Sequence, residues 1–584
     1  MGTKRMQAAL SAVCITTLLF PGTLAASSVK LYEQAPSDQQ NGAANATAPS
    51  AQAAAQQESH PGSASPAPPQ NANKVCPVTA DTAPPLSAPL AAALKLYRTG
   101  KFDEAISAYN AIVPTGGSDA AAAYAGLARV YLEQGNPTEA YSAAQKAVAL
   151  TPDRAPAIVA LGEVYFRQGR LEEAQAAFSK PLQACDLDAR AFLGLNQLYT
   201  VSLNWKHAKN KIEQAYKLDP DDPEIQRVYM STLSGQQRID ALKGYLANAS
   251  DDDKETRDEL KKELDRLQAQ SDKPKSACRL ATPVKSTEAK LEPLFDHPKH
   301  IRGYGLTVKV NGVSSRLLLD TGASGILIDR KIAEKAGVKS IRDIHIGGFG
   351  DQGATAGFVG HADKIQIGGL EFDDCLVQVA GNSSVADGDG LIGANVFSHF
   401  LVDIYMPDNK MKLSELPPYP DEQSSDVSLD SQSSSRSNWH DRYFPPAMKD
   451  YTPVYEFGHG LLIPTSVNSK PTRLFLIDTG AFDNELSLAE AKDVTRVATD
   501  YETEVRGLSG KAKKVYTAQN ATIQFSNVRQ QREDLIAVDM SHISDGFGTE
   551  ISGVLGFQML WMLHMKIDYR DGLVNFTADQ RFVQ

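Results

Sequence analysis

Two stretches in the second half of the chain end on the same tripeptide. Leu317-Leu318-Leu319 runs into Asp320-Thr321-Gly322, and Phe475-Leu476-Ile477 runs into Asp478-Thr479-Gly480. A carboxylate at the end of an apolar run is costly unless the fold hydrogen-bonds it or a reaction uses it. Its recurrence calls for two similar backbones, each carrying one Asp out of a buried strand. Two such carboxylates, brought together, cannot both ionise cheaply, so the pair holds one proton. A pair in that state can take a proton from water on one side and donate one on the other.

The repetition extends well beyond the tripeptides. Gly305-Leu306 and Gly460-Leu461 each open a strand, and Ala323 and Ala481 each follow the tripeptide. Ile326-Leu327-Ile328 with Ala333-Glu334-Lys335-Ala336 then matches Leu486-Ser487-Leu488 with Ala489-Glu490-Ala491. A Gly-bearing loop follows in each: His345-Ile346-Gly347-Gly348-Phe349-Gly350 and Val505-Arg506-Gly507-Leu508-Ser509-Gly510. Leu391-Ile392-Gly393 and Val554-Leu555-Gly556 come last, with Asp-to-Gly separations of 73 and 78. Short β-rich runs punctuated by Gly and Asn predict strands and hairpins throughout.

This order resembles the retropepsin-type aspartic protease, over residues 300–415 and again over 453–580. The resemblance implies two all-β, barrel-like lobes, at 296–415 and 451–584, separated by a Ser/Asp/Pro-rich linker at 416–450. It implies Asp320 and Asp478 as the catalytic dyad and a peptide or protein as substrate, with no cofactor and no metal. Thr321 and Thr479 would lock the two loops through crossed hydroxyl–backbone bonds, while Gly322 and Gly480 let backbone approach the carboxylates. Gly348, Phe349, Gly507 and Leu508 would form flaps over an extended peptide, with ordinary packing as the other reading of the two apolar tips. Pepsin-like relatives usually carry Ser or Thr where this chain has Ala323 and Ala481, so the dyad is expected to titrate higher than theirs. Whether the lobes pair within one chain or between two is open at this point. A non-catalytic peptide-binding scaffold with degenerate lobes is the alternative to an endopeptidase.

An all-α segment is expected at 86–270. Ala105, Ala140, Ala174 and Ala208 recur at intervals of 35, 34 and 34, each nine residues after Leu96, Tyr131, Tyr165 or Tyr199. Gly100-Lys101-Phe102, Gly135-Asn136-Pro137 and Gly169-Arg170-Leu171 precede the first three alanines; Leu203-Asn204-Trp205 stands before the fourth. Period and residue type resemble the tetratricopeptide repeat, as about four units over 87–222, with capping helices after them. Such arrays commonly hold a protein partner on a concave face; a spacer or a dimerisation element is the other reading.

The N-terminus reads as a secretory signal over residues 1–26. Lys4 and Arg5 precede an apolar run from Met6 to Phe20, then Pro21-Gly22 and the small residues up to Ala26. The run is shorter than the ~20 residues of a bilayer span, so cleavage and export (periplasmic, cell-envelope or extracellular) are expected, with no stable membrane span. Residues 27–85, rich in Ala, Gln and Pro, read as a disordered linker. Beyond the signal, Cys76, Cys185, Cys278 and Cys375 could form two disulfides in any of three connectivities, with buried free thiols as the other reading; they are far apart with no Cys-x-x-Cys, which argues against a metal site. The net charge is −11 and no basic patch interleaves aromatics, which argues against a nucleic-acid partner.

Overall fold

The computed structural model describes residues 30–33, 86–248, 254–269, 278–282, 284–297, 300–350, 353–381, 388–420 and 440–582. The signal segment and nearly all of the 27–85 linker lie outside these residues. Within that linker, Lys30–Glu33 is described as a strand, antiparallel to the start of Val528–Val538.

Among the described residues, eleven helices precede the main β-rich region: α1 (Ala88–Arg98), α2 (Phe102–Ile112), α3 (Gly117–Glu133), α4 (Pro137–Leu150), α5 (Ala155–Arg167), α6 (Leu171–Gln183), α7 (Ala189–Val201), α8 (Trp205–Leu218), α9 (Pro223–Ser231), α10 (Gly235–Asn248) and α11 (Lys254–Ala269). The first eight form four antiparallel pairs. The periodic alanines are buried where the pairs touch, because only a methyl lets the helix axes come close. Gly100, Gly135 and Gly169 turn the chain with φ of 78°, 70° and 69°. Leu203 makes the fourth such turn at φ 58° and is buried. A left-handed non-glycine costs ~1 kcal/mol, and burying a leucine offsets that.

A row of ion pairs runs across the first helices of the pairs. Arg129 Nε donates to Glu163 at 2.7 Å, and Arg190 donates to Glu163, Asp222 and Glu224 at 2.5, 3.0 and 2.6 Å. Arg98, at the end of α1, pairs with Asp219, just past α8. This row of side chains is therefore already engaged with itself.

The rest of the chain is β-rich. In the first β unit Val313–Asp320 pairs antiparallel with His300–Val310 and parallel with Gly390–Gly393, setting Gly393 opposite Asp320. In the second, Arg473–Ile477 pairs antiparallel with Gly460–Val467 and parallel with Gly553–Leu555, setting Leu555 opposite Ile477. The two apolar runs thus sit between the same kinds of neighbour, and both are buried on both faces. The first unit begins earlier than residue 296. Ser286–His297 pairs with both Lys410–Glu415 and His300–Val310, and its charged residues (Glu288, Lys290, Glu292) mask the strand pattern. Arg279–Leu280 pairs with Leu370–Ala380, where Cys278 and Cys375 form a disulfide. Cys185 is disulfide-bonded as well.

The units share a sheet. Phe400–Tyr405 runs antiparallel to Leu563–Asp568, with Asp403 opposite Lys566. The long connection between them spans little distance. The rings of Tyr419 and His440 stack at 4.2 Å, and Asp571 accepts both the Tyr419 hydroxyl at 3.2 Å and the Tyr443 amide at 2.9 Å. The described residues at 419 and 440 thus lie side by side, so pairing of the units within one chain is not limited by the length between them. Among the described residues no helix is long and apolar enough to cross a membrane.

Candidate active site

Each Asp leaves its strand where the parallel neighbour ends, so its side chain stays inside while the backbone turns away. Asp320 and Asp478 are both fully buried. Gly322 N donates to Asp320 Oδ1 at 2.9 Å; Gly480 N and Ala481 N donate to Asp478 Oδ1 at 2.7 and 3.1 Å. The loops face each other closely. A Cβ on Gly322 would lie 2.6 Å from Asp478 Cγ, and one on Gly480 would lie 2.4 Å from Asp320 Oδ2. No side chain fits at either position, which is why both are glycine.

The threonines cross between the loops. Thr321 Oγ1 donates to Ile477 O at 2.9 Å and accepts Thr479 N at 3.0 Å. Thr479 Oγ1 donates to Leu319 O at 2.8 Å and accepts Thr321 N at 3.1 Å. All four bonds are buried, so they fix the loops against each other in a low-dielectric setting. We predict that Thr479→Val, which keeps shape but removes the hydroxyl, lowers unfolding free energy by about 2–4 kcal/mol, because Leu319 O and Thr321 N lose their partners. Denaturant unfolding measures it; a loss below about 0.5 kcal/mol would contradict the lock.

Burial, then the neighbouring Asp320 carboxyl, holds Asp478 well above the usual carboxylate range, against the pull of the Gly480 and Ala481 amides. Asp478 Oδ2 is buried and meets no donor from the surrounding protein apart from the Asp320 carboxyl. A proton held between the pair supplies one.

Two amides brace the loops in ways the sequence pattern does not reveal. In the first unit Asn395, just after the Leu391-Ile392-Gly393 strand, accepts Gly325 N at 3.1 Å. In the second the bridge runs the other way: Asn484, after the tripeptide, accepts Gly556 N at 2.7 Å. The same job falls to residues in different segments, so comparing the two copies position by position misses it.

The four residues expected in the flaps also come together. Ser509 N donates to Phe349 O at 2.8 Å, Gly348 N donates to Ser509 Oγ at 3.1 Å, and a Cβ on Gly507 would lie 2.4 Å from Phe349 O. Phe349, from the first unit, is buried in the apolar cluster that holds Ala481. Leu508, from the second, packs on the cluster that holds Ala323. The two apolar tips are exchanged between the units, each packing on the cluster beside the other unit's tripeptide.

A family model described as "gag-polyprotein putative aspartyl protease" matches residues 306–399, which hold Asp320-Thr321-Gly322, the Gly347–Gly350 loop and Leu391-Ile392-Gly393. Tetratricopeptide repeat models match residues 90–155 and 131–192. The chain joins tetratricopeptide repeats to an aspartic protease-like region. Among solved structures, an aspartic proteinase from Irpex lacteus is 12% identical over 51% of this chain and 98% of that one, with a TM-score of 0.32. A thermophilic TPR protein of Thermus thermophilus is 24% identical over 31% of this chain and 97% of that one, with a TM-score of 0.24. No curated protein matches. The protease-like match ends before the second β unit, whose likeness to the first rests on strand register and on the crossed threonines.

Proposed function

We propose that this protein is an exported aspartic endopeptidase in which Asp320 and Asp478 act as one proton-sharing pair. The observation that carries the reading is the set of crossed bonds between Thr321 and Thr479, which hold two buried carboxyls against each other's loops. The ionised member takes a proton from water, the water attacks the peptide carbonyl, and the protonated member donates to the forming oxyanion. The step runs through no covalent intermediate. An extended peptide enters when the tips at Phe349 and Leu508 separate, and their return excludes water. The helical repeats would hold a protein substrate or partner. Export is supported by the leader-like segment and by the disulfide-bonded Cys185, Cys278 and Cys375, which suit an oxidising compartment.

The test is cleavage of a peptide library with and without pepstatin. Pepstatin-sensitive cleavage supports the reading. Peptide binding without cleavage would instead indicate the non-catalytic scaffold. The pH profile adds a separate check. With Ala323 and Ala481 supplying no hydroxyl, and burial raising Asp478, we expect kcat/KM to peak at mildly acidic to near-neutral pH. A maximum confined to strong acid would contradict this.

A further inference from the structure

Among the described residues, the second β unit receives a brace that the first lacks. The α5–α6 turn, taken with the last two residues of α5 as residues 166–169, presses into the segment that leads to Gly553–Leu555. Thr549 Oγ1 donates to Phe166 O at 3.1 Å, Glu550 N donates to Arg167 O at 2.8 Å, and the Arg167 guanidinium pairs with Asp545. Phe166 packs on Phe457 with ring centroids 5.8 Å apart. From Glu550 the chain passes directly to the support strand. Ile551 N donates to Ser544 Oγ at 3.0 Å and Ser552 N to Leu474 O at 2.9 Å. Then Asp478 N donates to Leu555 O at 3.0 Å, and Phe557 N to Ala481 O at 2.7 Å. Four residues therefore separate the helical turn's contact at Glu550 from Leu555, whose carbonyl fixes the Asp478 backbone. In the first unit the equivalent strand is held from within: Asp389 accepts Arg316 N through its side chain at 2.8 Å and Asp329 N through its backbone at 2.9 Å.

We infer that the α5–α6 turn is a positioning element of the Asp478 loop, so that the repeat array forms part of the active-site framework in addition to any role as a partner scaffold. The inference rests on the endopeptidase reading only for its kinetic consequence. The apolar cluster supports it, because it runs without a break from Val159, Leu171 and Leu195 of the repeats through Leu474 and Val554 to Ala481 and Phe349. Packed interiors pass on small displacements instead of absorbing them.

Two equivalent glycines allow a controlled test. Gly169 (φ 69°) and Gly135 (φ 70°) make the same turn in successive repeats. A Cβ on Gly169 would lie 3.2 Å from both Glu550 O and Leu474 Cδ1, whereas one on Gly135 meets nothing within 4 Å. Asn tolerates the left-handed conformation, so Gly169→Asn adds a push on 550 that Gly135→Asn does not. We expect Gly169→Asn to raise hydrogen exchange across residues 551–556 by about tenfold. We also expect it to lower kcat by about fivefold or more with KM little changed, while Gly135→Asn does neither. Arg167→Ala, which removes the ion pair to Asp545 and the guanidinium's pull on the Glu550 carboxyl, is the milder second variant should Gly169→Asn fold poorly, and Arg167→Lys should restore it. Equal behaviour of the two Asn variants, or wild-type exchange and kcat in Gly169→Asn and Arg167→Ala, would overturn the inference. If the wild-type chain cleaves nothing, the endopeptidase reading fails and the exchange comparison still decides the positioning role.

Discussion

Asp320→Asn and Asp478→Asn should each lower kcat by about a hundredfold to ten-thousandfold on a peptide that the wild-type chain cleaves. Asn matches Asp in shape and can still accept the Gly322 or Gly480 amide, so the loops keep their geometry. What it cannot do is take a proton from water or share one with its partner. Because one proton serves both carboxyls, the double variant should fall little further than either single one, a non-additivity typical of residues acting as a unit. Both variants should also fold, since each exchanges a desolvated carboxyl for a neutral group of equal volume. Steady-state kinetics with circular dichroism on the same samples checks both statements. Undiminished cleavage in either variant would show that the two carboxyls do not form the working pair.

The second large effect concerns stability and lies a few residues past Asp478. Glu485 is fully buried on the strand Glu485–Ser487, and neither of its carboxyl oxygens has a partner among the described groups. Burial, with Asp483 nearby, pushes its carboxyl up to about 8 from an ordinary 4.5. The native state therefore keeps this proton across a range in which the unfolded chain has released it. Stability from this group is fully present below pH 4.5 and drains away as pH rises to about 8, by roughly 3 kcal/mol between pH 5 and pH 8. Glu490, at about 7, and Asp568, at about 6, slope in the same direction. Glu485→Gln removes one of these titrations and leaves the others. The variant should lose about 3 kcal/mol less than wild type over that interval, whatever its absolute stability at pH 5. Denaturant unfolding at the two pH values measures the difference, and parallel curves for the two proteins would refute it.

Much of the site is legible in the order of residues. The Asp-Thr-Gly loops, the following Ala, the Gly-bearing loops and the late apolar-apolar-Gly strands are local features whose chemistry is written into adjacent residues. The 34-residue period is equally legible, because a small residue is required wherever two helices touch. Three features escape for one reason: their partners are far away in the chain. Ser286–His297 is charged along much of its length and reads as a strand only beside Lys410–Glu415 and His300–Val310. Asn395 and Asn484 brace opposite halves of equivalent loops, a swap with no signature in spacing. The exchange of Phe349 and Leu508 between clusters needs both units in place.

By itself, then, the sequence determined the two carboxyl-bearing loops, the duplication that carries them and the helical repeats, since each follows from short-range pattern and backbone sterics. Tertiary structure alone decided that Asp320 and Asp478 face each other within one chain and that the connection between the units closes on Tyr419 and His440. It also decided that the repeats lie against the strand beside Asp478 instead of apart from it. Those outcomes depend on burial, on hydrogen bonds between distant backbones and on where apolar faces find cover. These are properties of the assembled molecule that no single stretch of chain encodes.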